Sequence, residues 1–172
     1  MTFPFYIRVR EVLPFDYEGI HYLDRETFVS PISKEWFLDR IRHSNPYFFV
    51  SVNVITGRIV GFITGYESPS SVILAQKPGH YKYGFISRVA VDPAYRKMGI
   101  GDALLRSVEN RFYWEHRKGI LVSTRLNNTG AMRFYRNHNY TKMETFDGTE
   151  VYQFGRDMAE RTMVVMYKKL IY

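Results

Sequence analysis

The chain contains no cysteine. Disulfide frameworks, thiol nucleophiles and Cys-ligated zinc or iron–sulfur centres are therefore excluded, and folding needs no oxidising compartment. Long apolar runs are also missing. Stretches such as Val89-Ala90-Val91 stop after a few residues, far short of the ~18 required to cross a bilayer. Met1-Thr2-Phe3-Pro4-Phe5 carries no basic stretch leading into an apolar one, so no signal peptide is expected, and the Asn-x-Thr triplets at Asn127 and Asn139 read as incidental. No run of five like charges occurs, which speaks against a nucleic-acid-binding tail. The histidines (21, 43, 80, 116 and 138) show no His-Glu-x-x-His or related spacing, so no metal is expected. No Gly-x-Ser-x-Gly elbow supports a serine triad. These absences point to a cytoplasmic protein with no membrane partner.

Aromatic residues, in contrast, are abundant: 14 Tyr, 13 Phe and 2 Trp. They fit a pleated, half-buried surface and favour a substantial sheet. The length of 172 residues suits one domain, 1–172, able to bury a core without covalent staples. The net charge of +7 is uneven. Residues 1–85 carry 9 Lys/Arg against 8 Asp/Glu, and residues 86–172 carry 15 against 9. A basic half can attract a polyphosphate ligand, a nucleic acid or a membrane surface.

Hydrophobic periodicity gives the order β-α-α-β-β-β-α-β-α-β-β, an α/β chain. Residues 5–9 alternate as a strand, with Phe5, Ile7 and Val9 on one face. Pro14 and Asp16 open a helix with Ile20, Leu23 and Thr27 on one side, and Ser30-Pro31 ends it. Ser33 can cap a second helix with Phe37 and Ile41 inward. Residues 47–53 and 58–66 read as strands joined at Thr56-Gly57. Residues 68–80 read as a loop, and 83–91 as a strand ending at Asp92-Pro93. Gly101 to about His116 is a helix with Leu104, Leu105, Val108 and Phe112 on one face. Gly119–Thr124 is a strand. Asn128–Asn137 is a helix with Ala131, Phe134 and Tyr135 to one side. Residues 140–146 and 162–168 form a last strand pair, with a polar loop over 147–161.

The stretch that carries chemistry runs from Val89 to Leu105. A strand ends at Val91, a basic, glycine-containing turn follows, and a helix begins. Main-chain N–H groups at a helix N-terminus lack partners, and with the helix dipole they favour an anion such as a pyrophosphate. Gly99 and Gly101 permit close approach of the backbone, while Arg96 and Lys97 add charge. A Walker loop is excluded because no Gly-Lys-Ser/Thr is present. A dinucleotide fingerprint would need a third glycine where Leu104 stands.

Arg96-x-x-Gly99-x-Gly101 after Val89-Ala90-Val91-Asp92-Pro93 resembles the acetyl-CoA signature of the GNAT superfamily of N-acetyltransferases. Asn128-x-x-Ala131-x-x-Phe134-Tyr135 resembles that family's second motif and follows at the family's distance. The resemblance covers most of the chain. It implies the GNAT fold: a single mixed, mostly antiparallel sheet of six to seven strands with four helices, splayed at the acetyl-CoA site between the strands carrying Val89 and Ser123. It implies that the backbone of Val89, Ala90 and Val91 pairs with the pantetheine arm. Residues Arg96, Lys97, Met98, Gly99, Ile100, Gly101 and Asp102 would hold the pyrophosphate. Asn128 would contact the cofactor or orient its helix, and Tyr135 would stand near the sulfur as proton donor. A tyrosine at pKa ~10 can donate to a thiolate whose thiol titrates at ~8.5.

The first helix pair, around Leu23 to Ser33, resembles the acceptor side of N-terminal protein acetyltransferases of the ribosomal-protein-alanine and archaeal Ard-like kind. Tyr152-Gln153-Phe154-Gly155-Arg156-Asp157 resembles their acceptor hairpin. Val29, Ser30 and Tyr152 are therefore expected at the acceptor, with loops 29–33 and 147–156 as its walls. The expected acceptor is a protein or peptide N-terminus; the alternative is a small amine such as a polyamine or aminoglycoside. A non-catalytic acyl-CoA-binding or nucleic-acid-binding module is the competing class. One departure concerns the base. Positions where relatives carry a carboxylate, His or Tyr hold Phe85, Ser87 and Ser123. Glu26, Glu35, Glu67, His80 and Tyr152 are the other candidates, beside a water chain with backbone carbonyls. The oligomeric state and acyl-chain preference are not legible in the sequence.

Overall fold

Alternating Ile, Val and aromatic residues build the strands, and the strands fix everything else. The computed structural model describes residues 4–28, 30–43, 45–67, 83–125, 127–143, 145–146, 149–150 and 163–171. Its elements are β1 (Ile7–Glu11), α1 (Tyr17–Thr27), α2 (Lys34–Arg42), β2 (Phe48–Asn53), β3 (Ile59–Tyr66), β4 (Tyr83–Val91), α3 (Ile100–Trp114), β5 (Gly119–Arg125), α4 (Thr129–Asn137), β6 (Thr141–Met143), β7 (Thr145–Phe146), β8 (Thr149–Glu150) and β9 (Met163–Lys169). Seven strands make one open sheet in the order β1-β2-β3-β4-β5-β9-β6. β4 pairs with β5 in parallel; β1–β2, β2–β3, β5–β9 and β6–β9 are antiparallel.

The chain divides into two compact units, Met1–Gly65 with Arg88–Arg111 and Tyr66–Ser87 with Phe112–Tyr172. In the first unit, Ile20 and Leu23 of α1 and Phe37 of α2 form a core with Phe48, Val50, Phe62 and Ala90. Ser33 accepts from Trp36 N–H at 3.2 Å and starts α2 as its residue type requires. Gly61 is held to glycine by crowding: a Cβ there would lie 2.7 Å from Ser51 Oγ and 3.1 Å from the Ala90 oxygen. At the chain's start the sequence expectation is corrected. The strand is Ile7–Glu11, two residues later than 5–9, and Phe5 is exposed. The register is set by pairing Ile7–Glu11 with Phe49–Asn53, which outweighs the local alternation that included Phe5. Thr27 is exposed where an inward position was expected, and Asp24 is buried instead. Pro14–Asp16 is a short 3-10 turn, with α1 starting after it. Asp16 accepts from Leu13 N–H at 2.7 Å and pairs with Arg10 at 2.6 Å.

In the second unit, β5 is sandwiched in the ladder between β4 and β9, with Gly119–Val122 opposite Tyr83–Ile86 and opposite Lys169–Met166. Phe85, Leu121 and Val165 form a small core with Tyr66, Tyr83 and Tyr167 around it. A second correction concerns the expected strand 140–146. It is interrupted: Thr141–Met143 joins the large sheet through β9, whereas Thr145–Phe146 pairs with Thr149–Glu150 in a separate two-stranded ribbon. Part of the loop expected over 147–161 is thus strand. Helix α4 buries Met132 and Tyr135, while Ala131 and Phe134 are half-buried.

Candidate active site

β4 runs into α3 through a turn whose first half is hydrogen-bonded at Asp92, Ala94, Tyr95 and Arg96. The Asp92 carboxylate accepts from Ala94 N–H at 2.9 Å and from Arg58 at 2.7 Å, and Asp92 N–H donates to the Val60 oxygen at 2.9 Å. Asn53 Nδ2 donates to the Tyr95 hydroxyl at 3.2 Å. Lys97 and Gly99 then adopt left-handed conformations, with φ of 61° and 77°. Glycine takes this freely, but a lysine there costs ~1–2 kcal/mol. Such strain is kept where surrounding structure demands it, and left-handed residues within a turn build the N–H concavities that hold anions. The first helical bond of α3 is Ala103 N–H to the Gly99 oxygen at 3.0 Å. The N–H groups of Ile100 and Gly101 precede that ladder, and Gly99 has no side chain to cap them.

The candidate donor residues differ in what they can offer. Val89 and Val91 are half-buried, whereas Ala90 is a core residue and Ile100 is 1% exposed. Ala90 and Ile100 can therefore reach a ligand only through their backbone. Arg96 and Lys97 are exposed, Met98 and Gly101 are half-exposed, and Asp102 stands in the first turn of α3. Arg96, expected to add charge, also donates its Nε to the Val91 oxygen at 3.1 Å, so part of the guanidinium braces the turn.

Asn128 and Tyr135 belong to the second unit. Asn128 is the N-cap of α4; its Oδ1 accepts from Ala131 N–H at 3.1 Å. This bond orients the start of the helix. About two turns along, Tyr135 is 5% exposed, packed edge-on against Tyr140 and Phe134 at ring distances of 5.4 and 5.3 Å. Burial alone pushes its pKa well above the free tyrosine value.

On the acceptor side, Ser30 is described and its main-chain oxygen accepts from Arg88 at 2.7 Å. Val29, Tyr152 and His80 lie outside the described residues, as do 147–148 and 151–156 of the expected hairpin wall. Glu26 is exposed. Glu35 is held below the usual carboxylate range by a hydrogen bond to its own main chain and by Ser33, which suits a cap and opposes a base. Glu67 pairs with Arg117 at 2.9 Å. Phe85 is buried against Tyr66 at 5.1 Å, with Tyr83 and Tyr167 close by and 5.9 Å apart. Those three tyrosines were not singled out from sequence; strand alternation from Phe85 reaches Tyr83, but Tyr66 and Tyr167 arrive through strand pairing. Burial, then Tyr83, raises the Tyr167 pKa. Among the described residues, no group of three or more His, Asp or Glu is arranged for a metal, and no helix is long and apolar enough to cross a membrane.

The acetyltransferase (GNAT) family model aligns with residues 13–140, which include the turn between β4 and α3 and the helix α4. The chain belongs to the GNAT acetyltransferase family. It is 24% identical over 151 residues to an N-alpha-acetyltransferase of Sulfurisphaera tokodaii, covering 84% of this chain and 89% of that one. It is 24% identical over 136 residues to N-alpha-acetyltransferase 60 of Xenopus tropicalis, covering 73% of this chain; it spans 55% of that relative's length. Its fold is similar to that of Arabidopsis thaliana Naa50 in complex with a bisubstrate analogue, CoA-Ac-MVNAL, with TM-score 0.71 at 18% identity, over 96% of this chain and 99% of that chain. This GNAT protein is an N-acetyltransferase that uses acetyl-CoA as donor. The observed sheet, with four helices and seven strands, is the GNAT arrangement.

Proposed function

We propose that this acetyltransferase acts on the N-terminal α-amine of a peptide or protein, in the cytoplasm, with residues 1–172 working as one catalytic domain. The acceptor half rests on one observation: relatives matched along most of the chain bear the name N-alpha-acetyltransferase. The donor half rests on the turn between β4 and α3. Its left-handed Lys97 and Gly99, and the N–H groups ahead of the α3 ladder, fit a pyrophosphate. In this reading the backbone of Val89–Val91 pairs with the pantetheine arm. β4 pairs with β5 from Tyr83 to Ile86 and runs on through Ser87–Val91, which supports that pairing.

Acetyl transfer needs a neutral amine and a stabilised leaving thiolate. An α-amine at pKa ~7.7–8.0 is partly neutral near pH 7, unlike a lysine at ~10.4. That tolerance suits a protein with Phe85, Ser87 and Ser123 at the usual base positions, since water and hydroxyl groups can carry the proton away. Tyr135 keeps its own proton because burial disfavours tyrosinate. It therefore acts as a hydrogen-bond donor to the charge developing on sulfur. Ser30, Val29 and Tyr152 contact the acceptor.

The test is acetylation of a peptide library with varied first residues, read by mass spectrometry, beside polyamines and aminoglycosides. Incorporation at peptide α-amines is the expected result. Exclusive incorporation into the small amines would overturn the acceptor assignment and leave the donor chemistry standing.

A further inference from the structure

Arg88 stands on β4 directly ahead of Val89–Val91 and belongs to neither sequence motif. Its Nη1 donates to Asp24 Oδ1 at 2.6 Å, and its Nη2 donates to the Ser30 main-chain oxygen at 2.7 Å. The guanidinium carbon lies 4.8 Å from the centroid of the Phe28 ring. Asp24, on α1, is fully buried, and its second oxygen accepts from Ile32 N–H at 2.5 Å. The Ile32 oxygen accepts from His21 Nδ1 at 2.9 Å. The connection from α1 to α2 is thus fastened at Phe28, Ser30 and Ile32. Arg88 makes two of these attachments itself and supplies the counter-ion for the third.

This network is not needed to end α1. Phe28 N–H already bonds to the Asp24 main-chain oxygen at 2.8 Å, and Thr27 Oγ1 donates to the Leu23 oxygen at 2.8 Å. The ion pair is therefore directed at the segment beyond the helix. A buried carboxylate is costly without its cation, so Asp24 holds Arg88 to one position. A planar guanidinium can serve two acceptors and a ring at once, which a lysine ammonium on a flexible stem does poorly.

We infer that Arg88 is a positioning residue for the acceptor: from the strand proposed to bind the donor, it holds Phe28, Ser30 and Ile32 in place and thereby sets acceptor affinity. This rests on the acceptor reading above, in which Val29 and Ser30 contact the amine substrate.

The experiment compares wild type with Arg88→Met, which keeps an apolar stem, and Arg88→Lys, which keeps the charge. The acceptor is the best unblocked tetrapeptide from the library screen, or the best small amine if no peptide reacts. For Arg88→Met the acceptor KM is expected to rise ~10-fold, with kcat and the acetyl-CoA Kd within about twofold of wild type, the pattern of lost acceptor binding. Arg88→Lys should fall between. Hydrogen exchange read in parallel should show faster exchange at Ile32 N–H in Arg88→Met, with the α1 amides unchanged. Wild-type KM and wild-type Ile32 exchange in a folded Arg88→Met protein would overturn the assignment. So would equal losses in kcat and acetyl-CoA affinity, which would mark a general loss of structure. If the wild type acetylates no amine, the reading of function fails, and the exchange measurement still decides whether Arg88 holds the segment.

Discussion

Nε of Arg96 donates to the main-chain oxygen of Val91 at 3.1 Å, so a cation of the turn proposed to hold the pyrophosphate is also a brace across it. Charge and placement can be separated by Arg96→Lys. The charge remains, but the N–H aimed at Val91 is lost. A single hydrogen bond of this kind is worth ~0.5–1.5 kcal/mol. The acetyl-CoA Kd should therefore rise by a few fold, measured by calorimetry, and retain most of its salt dependence. An unchanged Kd would mean that the turn keeps its shape without the brace.

Gly99 and Gly101 make different demands. Gly99 has a φ of 77°, so any side chain there strains the backbone itself. Gly101 is helical and not among the residues of positive φ. Gly101→Val should leave the fold intact, since valine has a helix propensity no worse than that of glycine. It should nevertheless reduce acetyl-CoA affinity by at least ~100-fold, because the branched side chain stands where the pyrophosphate needs bare backbone. Undiminished calorimetric binding by the folded variant would remove Gly101 from the donor site.

Gly84 tests the packing of β4 rather than its chemistry. A Cβ at Gly84 would lie 2.5 Å from two ring carbons of Phe112, and Phe112 is completely buried. A ring cannot bend out of the way as the end of a long side chain can. Gly84→Ala should cost ~1–3 kcal/mol by overpacking. The expected observation is a lower urea midpoint with an unchanged m-value. An unshifted midpoint would show that Phe112 can repack.

Much of this architecture was legible because local and tertiary preferences agree. Ser33 caps α2, Asn128 caps α4, and Leu104, Leu105, Val108 and Phe112 are all buried on α3, as their spacing requires. The turn between β4 and α3 was legible from Arg96, Gly99 and Gly101. Other features needed long-range partners that no local pattern encodes. The two-residue shift of β1 comes from its pairing with β2. The burial of Asp24 depends on Arg88, 64 positions away. A lone acidic residue on a helix ordinarily reads as solvated surface, so the counter-ion could not be guessed from α1 alone. The tyrosines around Phe85 likewise come from three strands brought into register by the sheet.

Tyr135 carries the last prediction, because its environment bears on both stability and rate. Burial raises its pKa, so the unfolded chain gives up this proton first. The folded state is unaffected below ~10, the unfolded tyrosine value, and loses stability as pH climbs above it, since unfolding is then coupled to proton release. Tyr135→Phe removes that part of the alkaline slope, which denaturant titrations at pH 9 and above ~10.5 would measure. The same substitution keeps the ring and its contacts with Phe134 and Tyr140, and so isolates the hydroxyl in catalysis. Hydrogen bonding to the departing sulfur matters most as charge develops, so kcat should fall by at least ~10-fold with acetyl-CoA affinity nearly unchanged. Since the hydroxyl stays protonated, the wild-type rate should rise with pH as the amine is deprotonated and show no alkaline limb from Tyr135. Product release can mask a chemical step in kcat, so the decisive measurement is the single-turnover rate. A Tyr135→Phe enzyme with the wild-type single-turnover rate would assign the sulfur's hydrogen bond to another donor, such as water.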